Sequence, residues 1–401
     1  MCPSLILHKP PDLLILAVKS SNMQRFNRVY LLGLFALALC LPLFNDTFQL
    51  MKFERIDENR TFHDSLTFDI HHLDSFPKYS EAYLADNFSF RTPLIQWSKQ
   101  LKFRVFKVSP NPERLIIGRN GRYFIAEDEK RIYEGDLQFT PDNLNVFEEE
   151  WLRRQHYFDS LGVPVYFLPG PSALEIYPED LPFSIQRKYN YNRIDQLERK
   201  FRKRLPKLLV NPIPTLVAGK KHGNMYYILD NHWTEKAGYY VSRMLLQRMK
   251  REHFPQLDLA FLNQYTWKKS RRDFGHFVAL IGVAGLEEIT EVRSGYVDQA
   301  AEAPDFDFTY TSEGVSEEDQ QLHFVNKKAK NKLKILVIRD SFGGAILPFV
   351  KEAFAESVFI FDSWNYRFNK SILASYQPDL VLYITYDPSL HNQIDAANWE
   401  W

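Results

Sequence analysis

The sequence predicts an α/β fold, a mostly parallel sheet covered by helices on both faces. Three observations predict it. Apolar runs rich in β-branched and aromatic residues recur late in the chain: "KLKILVI" (332–338), "SVFIF" (357–361) and "PDLVLYIT" (378–385). They are apolar on both sides of the pleat, as strands buried on both faces are. Helical stripes alternate with them, the order expected of parallel strands joined by crossovers. Polar residues gather where such runs end, which is where ligands meet open α/β sheets.

The chain has 401 residues, 45% of them apolar and 25% charged, which is the composition of a globular protein. Fifty basic residues balance fifty acidic ones. No overall basic footprint marks nucleic acid as a partner. Two basic runs, "ERKFRKRLPK" (198–207) and "KKSRR" (268–272), read as solvated faces rather than polyanion or lipid sites. Cys2 and Cys40 are the two cysteines, so the main domain carries no disulfide or thiolate metal site.

Residues 1–24 read as a cytoplasmic extension, with Met23 as an alternative start. In "RFNRVYLLGLFALALCLPLFND" (25–46), Arg25 and Arg28 precede an uncharged run over 29–44. An uncleaved membrane anchor is the first expectation, a cleaved signal peptide the second and a buried helix the third. The arginines place the N-terminus in the cytoplasm and the remainder outside it. Residues 47–401 are expected to form one catalytic domain.

Helical character begins at "SEAYLADNFSF" and "PLIQWSKQLKFRVF". "ERLIIGRNGRYFIAED" (113–128) reads as a hairpin about an Asn-Gly turn. A helix over 145–161 carries Phe147, Trp151 and Phe158 on one face, stops at Gly162 and leads into the strand "VPVYFLPG". "MYYILD" (225–230) is expected as a strand. Thr234 then caps a helix whose inward stripe is Ala237, Tyr240, Val241, Met244 and Leu245. Residues 255–330 read as loops over the crevice. The helix after 338 points Ile346, Phe349, Val350, Ala353 and Phe354 inward.

Two of the expected strands end in chemistry, "DNHWT" (230–234) and "RDSFGG" (339–344). Asp230 and His232 stand at i and i+2, on one side of an extended chain. A carboxylate there can hold one imidazole nitrogen and leave the other outward. Ser341 sits at a strand-to-helix exit. These three form a candidate nucleophile, base and orienter, in that order Ser341, His232 and Asp230. The amides of Phe342 and Gly343 are candidate oxyanion donors. Metal binding is the competing use of Asp230 and His232; "HH" at 71–72 with Asp74 is a separate cluster, and no metal site is expected.

Four signals occur in order: "IIGRNGRYF" (116–124), "PGPSALEIYPEDLP" (169–182), "DNHWT" and "RDSF". In this they resemble the alginate-acetylation group of SGNH-hydrolase-like proteins, exopolysaccharide O-acetyltransferases. The resemblance implies an SGNH-like domain over roughly residues 70 to 390, with Ser341 as nucleophile, His232 as base and Asp230 as its partner. It implies acetyl transfer to a polysaccharide through an acetyl-serine. It also implies a location at the periplasmic face of the bacterial inner membrane, where residues 29–44 would anchor the chain. A multispanning membrane O-acyltransferase would supply the acetyl group, so no cofactor and no coenzyme A site are expected. Trp233, Trp364, Tyr366 and Arg367 are candidates for lining the acceptor groove. The chain departs from the family pattern at Arg339 (usually Gly), Arg122 (usually Trp), Ser172 (often Lys) and "TYDPSL" (385–390), which replaces a Glu-Arg pair. An acetyl esterase with the same triad and a catalytically silent module of an export complex are the rival readings.

Overall fold

The computed structural model describes residues 27–37, 40–42, 44–45, 48, 50–53, 62–63, 65–66, 74, 76–306, 308, 320–362, 367 and 369–395. The chain divides into two compact units, Met1–Leu101 and Lys102–Trp401. In the first, residues 27–37 form helix α1, followed by α2 (Phe76–Asn87) and α3 (Arg91–Gln100). Helix α1 covers the start of the expected anchor. The expected extension and the histidines at 71 and 72 lie outside the described residues. Among the described residues no helix is long and apolar enough to cross a membrane, and no group of ligating side chains is placed to hold a metal ion.

The second unit opens with the expected hairpin, β1 (Leu115–Ile117) against β2 (Tyr123–Ile125), antiparallel. Helix α4 (Glu127–Glu134) leads to α5 (Pro141–Leu161). The start of α5 lies ahead of its apolar stripe because a capping box sets it: the Asn143 amide donates to Thr140 Oγ1 at 3.1 Å and the Thr140 amide to Asn143 Oδ1 at 3.2 Å. Then come β3 (Val165–Gly170), α6 (Ala173–Ile176), α7 (Arg193–Phe201), α8 (Ile213–Gly219) and α9 (Glu235–Glu252).

The stretch 225–230, expected as a strand, is not one. Its backbone groups are satisfied elsewhere. The Met225 amide donates to the Tyr177 hydroxyl at 2.8 Å, the Leu229 amide to Glu288 at 3.2 Å and the Tyr227 amide to the His232 carbonyl at 3.1 Å. The pairing stops at one antiparallel bridge, Tyr226 with Trp233, and does not extend into a ladder. The described residues between 255 and 330 also hold more regular structure than expected. They include the antiparallel pair β4 (Thr266–Arg272) and β5 (Glu288–Ser294), with α10 (His276–Ile281) between them, then β6 (Ala301–Glu302) and β7 (Gln321–Val325). Strand β4 reads TWKKSRR and is mostly exposed, so no apolar alternation marks it.

The chain closes with β8 (Lys334–Arg339), α11 (Gly343–Ala353), β9 (Glu356–Phe361), α12 (Lys370–Tyr376) and β10 (Leu380–Tyr386). The central sheet has the order β3-β10-β8-β9-β7-β6. Its first four strands are parallel, and β7 and β6 extend it antiparallel. Beyond β3, the chain at Leu208–Val210 bonds to both backbone groups of Phe167, at 2.9 and 2.8 Å.

Helices cover both faces, as the sequence predicts. Alternate strand residues feed two cores. Leu168, Ile335, Val337, Phe359 and Leu382 pack with α9 and α11. Phe167, Leu336, Ile338, Val358 and Tyr383 pack with α5, α7 and α12. The inward residues expected on α11 are all buried. On α9 the buried band is wider than expected and takes in Tyr239, Ser242, Leu246 and Met249.

Helices α9 and α11 meet backbone to backbone at Gly238, where an added Cβ would lie 2.0 Å from the Ala345 carbonyl oxygen. Backbone cannot yield as a flexible side chain can. Gly238→Ala is therefore expected to lower stability by about 3 kcal/mol, read from urea unfolding followed by far-UV circular dichroism. Stability equal to wild type would rule out this approach distance.

Candidate active site

The turn after β8 carries Ser341. Asp340, fully buried, fixes it. One carboxylate oxygen accepts the Phe342 amide at 2.8 Å and the other accepts the Tyr386 amide at 2.5 Å. The nucleophile turn is thereby tied to the end of β10. The Phe342 ring packs in parallel on Tyr386, with centroids 4.3 Å apart, and lies 5.1 Å from the His232 ring. Burying a phenylalanine of this kind contributes about 1.5–3 kcal/mol.

The loop 224–234 supplies the other two residues. His232 Nδ1 lies 2.6 Å from Asp230 Oδ1, and His232 Nε2 lies 2.8 Å from Ser341 Oγ. The His232 amide also donates to Asp230 Oδ1 at 3.1 Å. A local turn closed by the Asp side chain therefore brings the pair together, rather than the extended alternation expected. The second oxygen of Asp230 accepts Arg272 Nη2 at 3.1 Å and the His276 amide at 3.2 Å. Burial works to raise the Asp230 pKa, but the bonds and charge of His232 and the Arg272 cation outweigh it and hold the carboxyl well below the usual range. Asp230 is thus an anion at neutral pH, able to stabilise an imidazolium.

Arg272 is the site residue that the sequence reading missed. It lies in the run "KKSRR", read as solvated, yet only 14% of its side chain is exposed. Its guanidinium sits 4.0 Å over the Tyr227 ring and pairs with Glu288 at 3.4 Å. Glu288 in turn accepts the amides of Ile228 and Leu229. Pairing of Arg272 with Glu288 across the β4–β5 ladder was the signal, visible only once both strands were recognised.

Other expectations are corrected. Trp233 does not face a substrate; it is 1% exposed and its indole donates to the Phe342 carbonyl at 2.7 Å. The Phe342 amide is occupied by Asp340, and the Gly343 amide turns to the Asp340 carbonyl at 3.2 Å, so neither stands free as an oxyanion donor. Arg367 is committed to the buried Asp362 at 3.0 Å. Trp364 and Tyr366 lie outside the described residues. Arg339 runs beneath α11: a Cβ on Gly343 would lie 2.6 Å from Arg339 Cδ, and the guanidinium sits over Phe361 at 5.2 Å. Arg122 ties the hairpin to two segments, bonding Asp180 at 3.1 Å and Asn224 at 3.0 Å with its guanidinium 3.6 Å over Tyr177. Ser172 is buried, and its Oγ has no hydrogen-bond partner among the described residues.

No family model and no curated protein matches the sequence. Solved structures do match. PatB1 of Bacillus cereus aligns over 69% of this chain and 96% of its own, at 14% identity and a TM-score of 0.50. The chain has the fold of PatB1. Matches also include the O-acetyltransferase domain of Pseudomonas putida AlgJ (13% identity, 72% of this chain and 95% of that one, TM-score 0.47). A DHHW family protein from Eubacterium siraeum aligns at 16% identity over 72% and 99%, with a TM-score of 0.46. The four parallel strands and flanking helices are the part of the PatB1-like fold that the sequence announced.

Behind the site, Glu129 on α4 accepts the Tyr386 hydroxyl. Burial drives the Glu129 pKa up to about 8; the Tyr386 bond opposes this, and Asp387 and Glu127 add to it. A carboxyl with a raised pKa stabilises the fold below its unfolded value of 4.5 and loses that contribution as pH rises through about 8. The unfolding midpoint is therefore expected to fall as pH is raised from 5 towards 9, roughly one carboxyl's worth of slope, and Glu129→Gln is expected to flatten the fall. Asp230 has the opposite sign, so its contribution is lost only in acid. An unchanged pH slope in Glu129→Gln would show that Glu129 is ionised throughout.

Proposed function

We propose that this chain is an acyltransferase that moves an acetyl group to a polysaccharide hydroxyl through an acetyl-serine at Ser341. The observation that carries the reading is the continuous series Asp230–His232–Ser341, with bonds of 2.6 and 2.8 Å. His232 Nε2 takes the proton of Ser341 as Oγ attacks the donor carbonyl. The imidazolium, steadied by Asp230, returns that proton to the leaving oxygen as the donor departs. A sugar hydroxyl then gives its proton to His232 and attacks the acetyl-serine, and the imidazolium restores the Ser341 hydroxyl. Acid–base work of this kind contributes about 10²–10⁴ in rate. The order of motifs supports acetyl and polysaccharide as the substrates.

We further propose that the donor is a membrane acyltransferase, and that residues 29–44 hold this chain at the extracytoplasmic face of the inner membrane. Hydrolysis of acetyl esters by the same series is the second reading. It is favoured by the 33% exposure of the His232 side chain, which admits water.

Incubation with an activated acetyl ester should place one acetyl group on Ser341, seen by peptide mass spectrometry. Ser341→Ala should cut turnover by about 10³-fold or more while leaving the circular dichroism spectrum intact. Acetate released at an unchanged rate on adding oligosaccharide, with no acetylated sugar, would select the hydrolase. An active Ser341→Ala variant would defeat both.

A further inference from the structure

Residues 272–277 are clamped to the Asp230 loop. Arg272 Nη2 and the His276 amide both bond Asp230 Oδ2, at 3.1 and 3.2 Å, and the Phe277 amide bonds the Leu229 carbonyl at 3.1 Å. Gly275 permits this contact. Its φ is +148°, and a Cβ there would lie 2.2 Å from the Leu229 carbonyl oxygen. No other residue tolerates both conditions. Behind the segment, Phe277 and Ile281 pack with Leu115 and Ile125 of the hairpin.

Two side chains face the other way. Phe274 is 64% exposed. Its ring lies 4.4 Å from the Arg272 guanidinium, which also covers Tyr227. His276 is exposed too, and lies within electrostatic reach of Asp230, His232, Arg114 and Glu127. Arg114 and Glu127 pair with each other at 2.8 Å and are about half exposed. A large ring left open on a segment pinned this firmly contributes little to folding. Its chain neighbours Arg271, Arg272, Asp273 and His276 are all polar or charged, and a guanidinium lies against its ring, a setting unlike the continuous apolar patch that a protein partner or membrane would require. One aromatic face beside hydrogen-bonding groups suits a pyranose, which has an apolar C–H face and a hydroxyl edge.

We propose that Phe274 and His276 form the acceptor lip of the site: a sugar ring of the acceptor lies on Phe274 while the His276 imidazole hydrogen-bonds one of its hydroxyls. The polymer then runs from Ser341 past His232 and Asp230 towards α10. This inference rests on the acyl-transfer reading, deepens it, and assigns it two specificity residues.

The test is steady-state transfer from an activated acetyl ester to short oligosaccharides of hexose, N-acetylhexosamine and hexuronate, using the full chain. Phe274→Ala should raise the acceptor KM about fivefold to tenfold, with a smaller change in kcat, and Phe274→Trp should restore it. His276→Ala keeps the amide that binds Asp230 and should raise the acceptor KM in the same way. A wild-type KM in both alanine variants overturns the lip and leaves acyl transfer standing. A parallel loss of kcat in Phe274→Ala that Phe274→Trp does not rescue also overturns the lip, because it marks support of Arg272 alone. Wild-type protein that acylates Ser341 but transfers to none of these saccharides overturns the transfer reading and the lip with it.

Discussion

The bond from the Trp233 indole to the Phe342 carbonyl holds the site together, because it joins two loops far apart in the chain. It spans the loop that carries Asp230 and His232 and the turn that carries Ser341. Both partners are 1% exposed, so no water competes for the bond. An indole N–H left unpaired in such surroundings costs about 1–3 kcal/mol. The bond therefore fixes a separation rather than merely adding attraction. With Trp233 seated in the core, its neighbour His232 is delivered to the surface beside Ser341.

Carboxylates do the remaining positioning. Asp340 binds the turn after β8 to the end of β10 through two amides. Glu288 gathers two amides of the 224–234 loop and presents Arg272 to Asp230. The Asp340 and Glu288 carboxylates are each matched by more than one donor, the condition under which burial of a polar group is tolerated. The loop that bears the base needs no ladder of its own, because side chains from β5 replace one.

This division explains what was legible in the sequence. The strands β8, β9 and β10 announce themselves because both of their faces are buried and their middle residues, Ile335–Ile338, Val358–Phe361 and Leu380–Ile384, form unbroken apolar runs. Ser341 and the pair Asp230–His232 could be named because the chemistry needs those residue types near strand ends. The loop 225–230 looked like a strand because its apolar residues face a core, and periodicity does not report where amides are bonded. Strands β4 and β5 were hidden by their charge. Trp233 stayed a candidate for stacking on a sugar, beside the core role it turns out to have, because composition does not show which way a side chain faces, and Arg272 was passed over because a basic run gives no sign of its partner.

The two margins of the central sheet are both blunt. On one side β6 is only Ala301–Glu302 long; on the other, Phe167 of β3 already exchanges both backbone bonds with Leu208 and Val210. Exposed strand margins are where foreign chains add themselves by backbone pairing. At these two margins, a neighbour or a copy finds little free backbone on which to grow a longer ribbon. The four parallel strands lie between these two margins and are kept away from such growth.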